Sequence, residues 1–163
     1  MKVKTESVLV ARKMFRQHMV TLRVMDEDEI EDVATLERQL FDSPWSEESF
    51  RAELRNSVST TYVLESNAQI IGYAVIWLIG DEMQIGKIAI APPFRSLGIA
   101  SWTLELILDW ARWHHVKDIF IEVRRSNESA IHLYEKFGFT MQGRRADYYN
   151  APREDALLMT AKI

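Results

Sequence analysis

A chain of 163 residues, 47% hydrophobic and 27% charged, has the size of a single domain with enough interior for a core. It contains no cysteine, which removes disulfides, thiolate metal sites and a cysteine nucleophile and fits a cytoplasmic setting. No apolar run reaches the roughly 18–20 residues of a membrane span, and a net charge of −4 argues against unspecific nucleic-acid binding.

The charge is unevenly spread. Residues 1–25 carry six Lys/Arg and one Glu, whereas residues 26–66 carry twelve Asp/Glu and three Arg. The acidic block is either a solvated helix surface or an attractor for a cationic partner. Residues 1–20 show no convincing period, and 1–18 are expected to be an N-terminal appendage, ordered or not, ahead of a domain spanning 19–163. A strand is expected at Val20–Val24. Ile30, Val33, Ala34, Glu37 and Leu40 recur at helical spacing behind an acidic first turn, which predicts a helix over 28–41. Pro44 breaks it, and Ser46 followed by two glutamates reads as the N-cap of a second helix.

Strands are predicted at Thr60–Glu65, Ile70–Ile79 and Glu82–Ile90, the last ended by Pro92 and Pro93. Ile99, Trp102, Leu106, Trp110 and Trp113 then define one broad apolar face of a helix over 98–113, with the tryptophans as core packing. Ile119–Val123 reads as a short buried strand. Ser126 or Asn127 can cap a helix that Gly138 stops. Closing strands are expected at Phe139–Gly143 and Ala156–Ile163. Helices alternating with strands imply a mixed sheet covered by helices.

Four segments attract chemical interest. Arg95-Ser96-Leu97-Gly98-Ile99-Ala100 joins a strand to a helix; backbone N–H groups at such a helix start, beside a cation, suit a pyrophosphate, although an ordinary strand–helix turn uses similar residues. Neither a P-loop nor a G-x-G-x-x-G fingerprint is present. Glu122 stands inside an apolar strand, where a carboxylate is costly unless paired, wet or useful; pairing with Arg124 or Arg125, or an outward position on an edge strand, would also account for it. Tyr134 lies one turn before a helix stop and can equally be a half-buried packing residue. Trp45 sits between two helices, where a hydrophobic staple is the alternative. Adjacent His114 and His115 on a helix point about 100° apart and cannot share one metal ion.

Together these segments resemble the GNAT superfamily of acetyltransferases. Arg95 to Ala100 satisfies its Q/R-x-x-G-x-G/A signature. Within it, "IEVRRSNESAIHLYEKFGF" at 121–139, "SPWSEESF" at 43–50 and "YYNAPREDALLM" at 148–159 are similar to the bacterial ribosomal-protein-S18 alanine N-acetyltransferases. The resemblance implies an α/β GNAT fold: a central mixed, mostly antiparallel twisted sheet with helices on both faces. It implies acetyl-CoA as cosubstrate and no metal. Ile88, Ala89 and Ile90 would pair with the pantetheine arm, Arg95, Ser96, Leu97, Gly98, Ile99 and Ala100 would hold the pyrophosphate, and Asn127 would touch the pantetheine side. Glu122 matches the general base and Tyr134 the general acid. Trp45, Tyr148 and Tyr149, the last two in a loop between the closing strands, would clamp the N-terminal peptide of an acceptor protein, a ribosomal one by this resemblance. Ser96 and Leu97 stand where the family usually has a second basic or polar pair, and Gly86-Lys87 stands where an apolar residue or Asn is more common. A lysine- or small-amine-directed GNAT enzyme and a non-catalytic acyl-CoA sensor are the alternatives.

Overall fold

The computed structural model describes residues 10–163, and residues 1–9 of the expected appendage lie outside them. Residues 11–18 are not an appendage. Ala11–Phe15 forms strand β1, hairpinned antiparallel onto β2 (His18–Val24). Only Phe15 of that strand is buried, which explains the missing period. The hairpin is followed by α1 (Ile30–Leu40), α2 (Glu47–Arg55), β3 (Ser59–Ser66), β4 (Gln69–Ile79) and β5 (Glu82–Ile90). Then come α3 (Ile99–Trp113), β6 (Asp118–Arg124), α4 (Glu128–Lys136), β7 (Thr140–Asn150) and β8 (Arg153–Lys162).

The eight strands form one sheet in the order β1-β2-β3-β4-β5-β6-β8-β7. All neighbours are antiparallel except β5 and β6. One face packs against α3 and α4 through Leu64, Ile76, Ile85, Leu104, Ile107, Leu108 and Ile121. The other packs against α1 and α2 through Val33, Phe50, Tyr73 and Val75. Helices therefore cover both faces, as the alternating pattern predicts.

Local signals act where they are expected. The Ser46 hydroxyl accepts from the Ser49 N–H at 3.1 Å, capping α2, and Trp45 packs on Phe50 with ring centroids 5.5 Å apart. Trp45 and Phe50 are thus the two halves of a hydrophobic staple. Asn127 caps α4 by accepting from Ala130 N–H at 3.2 Å, and Gly138 ends the helix region at φ +86°. On α3 the expected face is rotated. Leu104, Ile107, Leu108 and Ala111 are buried with Ile99 and Trp102, whereas Trp113 is 68% exposed. The buried stripe of α3 ends at Ala111, and Trp113 in its last turn lies outside it.

Candidate active site

The feature that organises the site is a break in the sheet. The parallel ladder between β5 and β6 has four rungs, from Glu82↔Asp118 to Ile85↔Ile121, and stops there. On the other side of β5, Val75 faces Lys87 and Ile76 faces Ile85, so Gly86 is the extra residue of a β-bulge. Bulges bend the strand that carries them. Here the bend falls one residue beyond the last rung, and Gly86–Ile90 departs from β6. Glycine is required at this point because a β-carbon would lie 2.4 Å from the Trp77 ring. Ile88, Ala89 and Ile90 pair with Ala74, Tyr73 and Gly72 of β4 on one side. Their other edge faces the gap, where an extended ligand can add as a strand.

The loop after β5 continues this surface. Arg95 is exposed, and its Nε donates to the Ile90 carbonyl at 2.9 Å, which ties the loop to the end of β5 and leaves the terminal nitrogens. Ser96 at φ +60° and Gly98 at φ +90° both adopt the left-handed conformation that turns successive amides to one side. Gly98 is the N-cap of α3, so Ile99 and Ala100 contribute first-turn N–H groups without helical partners. Leu97 packs partly buried against the core beneath. Its side chain anchors the loop and its backbone remains for an anion. The donor set thus fits a pyrophosphate on one end and a pantetheine-like amide chain on the other. Asn127 stands at the start of α4, and its side-chain oxygen is committed to capping, with Ser129 also donating to it at 3.2 Å. Only its amide N–H groups remain for a ligand.

Glu122 is the first residue of β6 beyond the last rung with β5. Its neighbours Ile121 and Val123 are buried in the α3/α4 face, so strand alternation turns Glu122 to the α1/α2 face. β6 is an interior strand, not an edge. The carboxylate pairs with Arg145 of β7, Nη1 to Oε1 at 3.4 Å, and not with Arg124 or Arg125. Arg124 instead donates to the Ala151 and Pro152 carbonyls at 3.2 and 3.1 Å and lies 4.1 Å from the centroid of the Tyr149 ring. It therefore fastens the β7–β8 hairpin to β6.

Tyr148 and Tyr149 are not in a loop. They end strand β7, with Tyr149 opposite Glu154 of β8, beyond an irregularity at which Asp147 has φ +52°. Tyr148 is held protonated first by a hydrogen-bonding interaction with Glu122 and then by burial. Tyr134, on α4, is buried against Phe139 with centroids 5.7 Å apart. Burial, and secondly the nearby Tyr149, push its pKa well above the usual phenol range. Glu122 and Tyr134 thus lie toward opposite faces of the sheet, Glu122 just past the point where β5 and β6 part. Tyr149 interacts electrostatically with both of them.

Trp45 lies on the α1/α2 face beside Trp77, centroids 6.3 Å apart. On that face a groove of about 410 Å³ is lined by Glu53, Asn56, Trp77, Gln84 and Phe120 among others. It stops short of Glu122, ending at Phe120 two residues earlier on the same side of β6. Sequence reasoning did not single out Trp77 or Arg145, and it offered Arg124 only as a partner of Glu122; the actual partners of all three are distant in the chain.

A sheet opened between two parallel neighbours, with a glycine-bearing turn at one end of the opening, is an architecture suited to an acyl-carrier-dependent transferase. Known proteins identify it further. A profile of the acetyltransferase (GNAT) family matches residues 30–139. The N-alpha-acetyltransferase RimI of Mycobacterium tuberculosis is 32% identical over 146 residues, covering 86% of this chain and 90% of that protein. The crystal structure of the ribosomal-protein-S18-alanine N-acetyltransferase from Escherichia coli superposes with a TM-score of 0.82 at 28% identity, covering 89% of this chain and 94% of that one. Arabidopsis thaliana Naa50, solved with a bisubstrate analogue, shares the fold with a TM-score of 0.78 at 22% identity, covering 88% of this chain and 99% of that one. The chain belongs to the GNAT family and is an acetyl-CoA-dependent N-acetyltransferase.

Proposed function

We propose that this enzyme transfers the acetyl group of acetyl-CoA to the N-terminal α-amine of a protein, the N-terminal alanine of ribosomal protein S18 being the acceptor that its relatives' names suggest. The observation that carries the reading is the placement of Glu122 immediately past the last β5–β6 rung, under the two tyrosines that end β7.

An α-amine must lose its proton before it attacks a thioester. With a pKa near 7.7–8.0 it does so about 3.5 kcal/mol more cheaply than a lysine near 10.4. Glu122, directly or through one water, accepts that proton, and Arg145 must give way as the amine approaches. Backbone N–H groups along Ile88–Ile90 face the carbonyl oxygen as charge grows on it. The Tyr134 hydroxyl, kept protonated by burial, donates to the departing thiolate. Ile88–Ile90, Arg95–Ala100 and Asn127 hold acetyl-CoA, while Trp45, Tyr148 and Tyr149 border the acceptor. Direct transfer needs no acyl-enzyme.

Purified enzyme is tested with acetyl-CoA and peptides beginning Ala-Arg, alongside N-terminally blocked lysine peptides. The expected result is turnover of the free α-amine alone. Glu122→Gln and Tyr134→Phe should each lower kcat by roughly 10²-fold or more while acetyl-CoA still binds. Preferential lysine acetylation would replace this reading with the lysine-directed one, and binding without turnover would indicate a sensor.

A further inference from the structure

Lys87 occupies β5 between the Gly86 bulge and the edge formed by Ile88–Ile90. Its side chain, 15% exposed, forms an ion pair with Glu37 of α1, which is fully buried. Glu37 also accepts from the Tyr73 hydroxyl and, at 2.9 Å, from the Trp45 backbone N–H. A buried carboxylate needs such complete satisfaction. The ammonium does more than neutralise it. It lies 4.4 Å from the centroid of Phe41 and 4.5 Å from that of Trp45, within cation–π range of both rings. Phe41 is the C-cap of α1 and Trp45 the residue before the N-cap of α2, so one side chain grips both ends of the α1–α2 connection. Trp45 in turn adjoins Trp77, whose ring covers Gly86. A continuous chain of contacts therefore runs from the ammonium to the point where the sheet opens, on the same face as Glu122.

We infer that Lys87 is a specificity-determining positioning residue: by gripping Phe41 and Trp45 it fixes the aromatic wall of the acceptor site close to the opening, so that a small first side chain such as alanine is accepted and a large one rejected. The inference rests on the N-terminal-amine reading above. Nothing in it requires Lys87 to touch the acceptor. Burial lowers the Lys87 pKa, and the bond to Glu37 offsets part of that shift.

The test compares wild type, K87M, K87R and the double variant E37Q/K87M on peptides differing only in a first residue of Ala or Leu, with hydrogen exchange followed over residues 41–46. K87M keeps the bulk and removes the charge. It should shrink the Ala-over-Leu ratio of kcat/KM by about tenfold, through the acceptor KM, and leave the acetyl-CoA KM within about twofold. Exchange at the Trp45 amide should quicken, and K87R, which keeps a cation over the rings, should restore both properties. The double variant removes the buried charge imbalance without restoring the grip, so it should stay relaxed, and it carries the test if K87M alone fails to fold. An unchanged ratio in folded K87M, or a wild-type ratio in the double variant, overturns the inference. If wild type acetylates no N-terminal peptide, the functional reading and the selectivity claim fall together; the exchange over 41–46 then decides separately whether Lys87 holds the connection.

Discussion

A β-carbon added at Gly86 would lie 2.4 and 2.6 Å from two atoms of the Trp77 ring, whereas one added at Gly98 would meet nothing closer than Phe15 Cε1 at 4.0 Å. The two glycines are therefore needed for different reasons, and their alanine variants should fail differently. Gly86→Ala must displace a ring whose Nε1 is bonded to Glu53 at 2.7 Å. It should cost about 1–3 kcal/mol in urea denaturation. Gly98→Ala has room but holds φ at +90°. It should cost about 1–2 kcal/mol and should also raise the acetyl-CoA KM, because relaxing that angle turns the loop amides away. Of these two, the sequence made only Gly98 legible, through a motif contained in six residues. The role of Gly86 depends on Trp77, nine residues away on another strand, and that of Lys87 depends on Glu37, fifty residues away. Pairings of this kind are set by strand register, which a single sequence does not display.

At the scale of elements, the entry to α1 carries a pH-dependent contact. Arg23 of β2 donates to Glu29 at 2.9 and 2.5 Å and to Glu65 of β3 at 2.6 Å. The Arg23 bond, opposed by burial and aided by the Asp26 N–H, holds the Glu29 carboxyl below its ordinary value near 4.5. A carboxyl depressed in the folded state binds fewer protons there than in the unfolded chain. Its stabilisation is complete above about pH 4.5 and fades as pH falls through the lowered value. Glu29→Gln should therefore flatten that part of the acid limb of a stability-versus-pH curve, leaving neutral-pH acetylation unaltered. Elements with a buried stripe or a cap, such as α1, β5 and α4, could be read from the sequence to within a residue or two, as could the start of α2. β1 could not, because an edge strand with one buried residue has no period to show. The ends of β7 and β8 were also hidden: β7 is largely exposed, and its pairing runs through two register shifts that break alternation.

The whole molecule is two sheet segments, β1–β5 and β6–β8, joined by four parallel rungs and by the helices on either face. That plan was inferable from the helix–strand alternation and the family resemblance, but the location of the join was not. Much of the acidic block turns out to be internally committed, Glu29 and Glu65 to Arg23, Glu37 to Lys87 and Glu53 to Trp77. The exposed members that remain to face a basic acceptor include Asp28, Glu31, Asp32 and Asp42. Reversing the charge of Glu31 and Asp32 should weaken a basic peptide at low salt with no change in acetyl-CoA binding, a difference that added salt should erase.

The bulge at Gly86, seated under the Trp77 ring, bends β5 away from β6 through the chain's own backbone geometry. A slot that is built in this way is expected to stand open before capture. Mixing enzyme with CoA in a stopped-flow instrument should accordingly give a single exponential whose rate rises linearly with ligand concentration, whereas a plateau at high concentration would reveal a slow rearrangement ahead of capture.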